Sequence, residues 1–137
     1  MIINITSTQL SDSNKSLINA VFDANLDAVL NAVSKTDNEA ASNTGVKKDQ
    51  ATDSPPIIIF SGDGVFAQSS TAALLDALLA KRKKLPYEAE ASPSKPMLFV
   101  VKADVELRGA CVANHVSIIN HREFAELANR HKQWVTL

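Results

Sequence analysis

Cysteine occurs once in this 137-residue chain, as Cys111. A single thiol excludes an internal disulfide and a cysteine-rich zinc site, and it suits a reducing compartment. Neither charge predominates: 14 Lys and Arg stand against 15 Asp and Glu, for a formal net charge of -1. That balance argues against a dedicated nucleic-acid binder, which carries a clear basic excess. No apolar run approaches the roughly 18 residues of a membrane span. The opening Met1-Ile-Ile-Asn-Ile-Thr6 has neither the basic region nor the cleavage pattern of a signal peptide. These absences predict a cytoplasmic protein without a membrane partner. What is present is ordinary: 45% hydrophobic and 21% charged residues, close to globular averages. The length suits a single domain spanning residues 1–137.

Strand and helix periods alternate along the chain. Met1–Thr6 is a short β-branched run that predicts an opening strand. Ser7–Ser13 supplies side-chain oxygens able to cap a helix. Behind it Leu17, Ile18, Val21, Phe22, Leu26, Val29, Leu30 and Val33 recur every three or four residues. That period predicts a helix from near Asp12 to as far as Ser34, with one face buried. Residues 35–55 contain one valine and predict a solvated, mobile insertion. Ile57–Phe60 is continuously apolar, as in a strand buried on both faces of a parallel sheet. Ser61-Gly-Asp-Gly64 then ends it sharply, because glycine tolerates positive φ.

From Val65 the chain again predicts helix, with Ser69, Ser70 and Thr71 as candidate caps and Leu74, Leu75, Leu78 and Leu79 as the apolar stripe. Lys81–Lys84 falls at its carboxyl end, where cations complement the dipole in a solvated terminus. Residues 86–96 form a second polar, proline-marked linker. Met97–Val101 predicts another buried strand, and Ala103–Gly109 a short helix closed by Gly109 in the left-handed conformation. Val116–Ile119 is a strand, and Asn120 with Glu123 forms a capping box. Phe124, Leu127, Ala128 and His131 then share one face of a helix through about Lys132. Trp134–Leu137 supplies a last strand. Strands alternating with helices predict an α/β fold in three layers, a largely parallel sheet flanked by helices.

Candidate chemistry is sparse. Cys111 stands in Gly-Ala-Cys-Val-Ala-Asn-His, with His115 four residues on. On a helix the imidazole could activate the thiol. Gly109 and the strand at 116 predict a loop instead, and a lone cysteine between Ala and Val suits a small core position. Cys111 is therefore only a weak catalytic candidate. A metal site would have to draw on Cys111, His115, His121 and His131, whose spacing matches no compact ligand pattern. The Ser61–Gly64 turn follows a buried strand at the sheet edge where α/β proteins bind ligands. It lacks the G-x-G-x-x-G pattern and the lysine of a P-loop, which favours a tight turn with a functional or interfacial edge over a nucleotide site. No cofactor is implied.

Four segments follow one another in a recognisable order. They are the opening M-I-I-N-I with its serine-rich turn, I-I-I-F with D-G-V-F-A (Asp63, Gly64, Val65, Phe66, Ala67), and L-F-V-V-K-A-D-V-E-L-R-G (Leu98–Gly109). The fourth is the final V-S-I-I-N-H-R-E-F-A-E-L-A-N-R-H-K-Q-W, which contains Phe124, Leu127, His131 and Trp134. Together they make the chain similar to the TusB/DsrH branch of the DsrE-like sulfur-relay proteins over residues 1–30 and 56–137. Asn120 stands where an acidic residue is common, Val135–Leu137 extend past the tryptophan, and Ala20 falls near a first-helix position where some DsrH members carry cysteine.

The resemblance implies a flavodoxin-like (DsrE-like) fold and a cytoplasmic subunit that assembles with homologous TusC-like and TusD-like chains as a heterohexamer. Such a complex passes persulfide sulfur for 2-thiolation of the tRNA wobble uridine, with the active cysteine mainly on the TusD or DsrE partner. Its DsrH counterpart serves sulfur oxidation; a stand-alone ligand-binding α/β module is the alternative outside the family. Asp63, Gly64, Phe66, His131 and Trp134 are the expected interface or functional edge. Phe66 and Trp134 are expected to be part-exposed on the isolated chain.

Overall fold

A computed structural model describes residues 1–36, 56–82 and 98–137. Five strands, β1 (Ile2–Ile5), β2 (Ile57–Phe60), β3 (Leu98–Val101), β4 (Ser117–Ile119) and β5 (Trp134–Thr136), form one sheet in the order β4-β3-β2-β1-β5. Every pairing is parallel, with Ile2 beside Ile57 and Trp134, Ile58 beside Leu98, and Phe99 beside Ser117. The connecting helices are α1 (Asp12–Thr36), α2 (Ala67–Ser70), α3 (Ala72–Arg82), α4 (Lys102–Arg108) and α5 (His121–Arg130). A 3-10 turn over Gly62–Phe66 leads from β2 into α2.

Chain direction accounts for the layering. From β1 to β4 each strand is added beside the last, so right-handed crossovers put their helices on one face. The step from β4 to β5 returns across the whole sheet, which sends α5 to the other face. The two cores confirm this division. Ile3, Ile5, Ile58, Phe60, Leu98 and Val100 pack with Ile18 of α1, Leu75 and Leu78 of α3 and Val105 of α4. Ile2, Ile57, Ile59, Val101 and Ile119 pack with Phe124 and Leu127 of α5. The result is the expected three-layer, flavodoxin-like α/β fold.

Several local expectations are met by named contacts. The Ser11 hydroxyl accepts the Asn14 amide at the start of α1 (3.1 Å). Gly109 ends α4 in the left-handed region, at φ 61°. At α5 the Asn120 side chain accepts the Glu123 amide (2.9 Å) while Glu123 accepts the Asn120 amide (2.8 Å).

Other expectations are corrected. Leu17 and Leu30, assigned to the buried stripe of α1, are exposed. Leu17 sits at the margin of the face centred on Ile18. Length explains Leu30: 25 residues of helix extend roughly 38 Å, whereas a strand of 4 residues covers roughly 13 Å. The far part of α1 therefore has no sheet beneath it. Ser69, Ser70 and Thr71 do not cap α3; their hydroxyls donate backwards, to the carbonyls of Phe66, Ala67 and Ala67 respectively. Of the insertion expected over 35–55, Lys35 and Thr36 instead continue α1, and 37–55 lie outside the described residues, as does the linker 86–96.

The central strand supplies a stability test. Phe60 is completely buried, so Phe60→Ala should cost about 3–5 kcal/mol in urea denaturation. Leu107 is 80% exposed on α4, and Leu107→Ala should shift stability by no more than about 0.5 kcal/mol.

Candidate functional edge

In a parallel sheet all the carboxyl ends meet at one edge, and here β1, β2 and the β3–α4 junction bring polar groups to it. Asn4 is the single polar residue in β1 and is largely buried. Its Oδ1 accepts the Ser61 hydroxyl at 2.8 Å, and the Ser61 amide donates to the Ile5 carbonyl at 3.0 Å. The turn after Ser61 is thus stitched to the neighbouring strand at both its side chain and its backbone.

Two glycines shape that turn for different reasons. Gly62 has φ 56°, a conformation disfavoured by a Cβ. Gly64 lies against β1, where an added Cβ would overlap the Ile5 carbonyl oxygen. This approach carries the chain into the 3-10 turn with Val65 buried and Phe66 44% exposed.

From the other side α4 clamps the turn. Asp104 Oδ2 accepts the Gly62 amide at 2.9 Å. Arg108 Nε donates to Asp63 Oδ1 at 2.8 Å, and its Nη1 donates to Asp104 Oδ1 at 3.1 Å. Helical spacing places Asp104 and Arg108 one turn apart, so both reach the same neighbour. The hydrogen bond that Arg108 donates to Asp63 has the largest effect on its pKa; burial opposes it, the charges of Asp63 and Asp104 add to it, and the net direction is upward from the ordinary value. Two carboxylates surround this guanidinium, so it braces the turn and offers no free cation to a phosphate.

Topology defines a second position at the same edge. β3 continues into α4 on one face and β4 into α5 on the other, which opens the crevice where α/β sheets commonly take ligands. The Asn120 and Glu123 amides that an anion would meet there are already engaged in the capping box.

The predicted edge residues do not form one site. Asp63, Gly64 and Phe66 lie at the carboxyl end, whereas Trp134, beside Ile2 at the start of β5, lies at the amino end. His131 joins Trp134 there: its Nδ1 is 2.9 Å from the Met1 ammonium. It is also not on the apolar face of α5, because the helix ends at Arg130 and His131 is extended, at φ -109° and ψ 121°. Trp134 is 40% exposed. Its ring meets Phe124 edge-on, with centroids 5.5 Å apart, and its Nε1 donates to Thr136 Oγ1.

Cys111 is corrected as well. It is exposed, because the loop after Gly109 turns Ala110, Val112 and Ala113 toward the core and leaves the thiol outside. The loop is tied down by Gln68, whose Oε1 accepts the Ala113 amide and whose Nε2 donates to the Val65 carbonyl. His115 Nε2 is buried without a hydrogen-bond partner. Neither Cys111 nor His115 enters the Asp63–Asp104–Arg108 network. Among the described residues no three His, Cys, Asp or Glu side chains are grouped to hold a metal ion.

Sequence reasoning placed Ser61 in the turn but missed Asn4, which holds it, although an asparagine inside M-I-I-N-I was a readable signal. It also left unpaired the carboxylates that meet Arg108. No family model matches this chain, and neither does a curated protein or a solved structure.

Two measurements test these contacts. Removing the carboxylate in Asp104→Ala should speed hydrogen exchange at the Gly62 amide, with β2 amides unchanged; unchanged exchange at Gly62 would place its protection elsewhere. At the other end, burial pushes the His131 imidazole below its ordinary value, assisted by the Met1 ammonium and Arg130. The unfolded chain therefore binds this proton more readily, and the fold loses stability as pH falls from about 6.5 through the depressed folded value. His131→Gln should flatten that part of the pH–stability curve, read by thermal melts across the interval.

Proposed function

We propose that this chain is a TusB-like docking subunit of a sulfur relay that delivers persulfide sulfur for 2-thiolation of the tRNA wobble uridine. One observation carries the reading. Arg108, from the D-V-E-L-R-G segment, donates to Asp63 of the D-G-V-F-A segment across 45 residues of sequence, and also to Asp104 one helical turn before it. Two of the segments that carry the resemblance thus act as one structural unit at the carboxyl edge.

In this reading the partners are homologous TusC-like and TusD-like chains in a cytoplasmic heterohexamer, and tRNA is met only through the relay. The transferable sulfur resides on the TusD-like cysteine. Phe66 and Trp134 are part-exposed at opposite ends of the sheet, which supports burial against two different neighbours. Among the described residues no helix is long and apolar enough to cross a membrane. Cys111, exposed and outside the braced turn, is dispensable for transfer.

The test is co-expression of the tagged chain with TusC-like and TusD-like chains from the same genome, followed by mass spectrometry and assay of thiolated tRNA. Both homologues should co-elute, and Cys111→Ser should support thiolation at the wild-type level. Loss of thiolation with assembly intact would make Cys111 a sulfur carrier. Co-elution without thiolation activity would point to sulfur oxidation, and the absence of both homologues would overturn the reading.

A further inference from the structure

We draw no further inference here: the strongest candidate, the exposed Cys111 thiol in the loop between α4 and β4 with the unpartnered Nε2 of His115 four residues on, carries nothing, because the His115 residue is itself only part-buried and nothing in the structure places a ligand against either group.

Discussion

Burial of β1, β2 and β3 from both faces is the constraint on which the other features depend. Parallel strands need long crossovers, and those crossovers cover the sheet only if helices lie on each side of it. Among the described residues, the helices of three crossovers share one face and α5 alone serves the other. Ile2, Ile3 and Ile5 are fully excluded from water, as are Ile58, Ile59 and Phe60. At about 1.5–3 kcal/mol per fully buried large apolar side chain, this short apolar centre dominates the favourable side of folding. The edge strands contribute less, since Ile118 of β4 and Trp134 of β5 remain substantially exposed.

The same constraint makes the carboxyl edge precise. Once β1 and β2 are held in register, the chain leaving Phe60 must turn within a few residues beside the end of β1. Gly64 permits the close approach, Ser61 and Asn4 join the two strand ends, and α4 supplies Asp104 and Arg108 from the adjoining crossover. An exposed ion pair contributes little by itself. These polar contacts converge on a turn already fixed by backbone geometry, so their effect is to restrict its conformations and hold Phe66 at the surface. In the docking role proposed above, preorganisation of this kind would lower the ordering cost of association.

Much of the fold was legible because its signals are local. Four-residue apolar runs marked β2 and β3, the left-handed Gly109 marked the end of α4, and Asn120 with Glu123 marked the start of α5. The site was legible only in part. Asp63 and Gly64 belong to a recognisable turn, but Arg108 acquires its carboxylate partners from two places, one a helical turn away and one 45 residues distant. Leu17 and Leu30 show the opposite failure: their spacing was helical, yet periodicity states neither how wide the buried face is, which leaves Leu17 at its margin, nor where the supporting sheet ends, which exposes Leu30.

From residue order alone follow the alternation of strand and helix, the apolar character of the central strands, the caps at the start of α1, the end of α4 and the start of α5, and the polar balance of charge. Each depends on neighbours within one or two turns of chain. Only the tertiary structure decides that β5 joins β1, that His131 and Trp134 stand at the opposite end of the sheet from Asp63 and Phe66, and that Cys111 faces outward. Those outcomes depend on which elements share the limited surface of one sheet. The direction of the β4-to-β5 crossover, and the packing of Ala110, Val112 and Ala113 into the core, settle them through contacts between residues far apart in sequence.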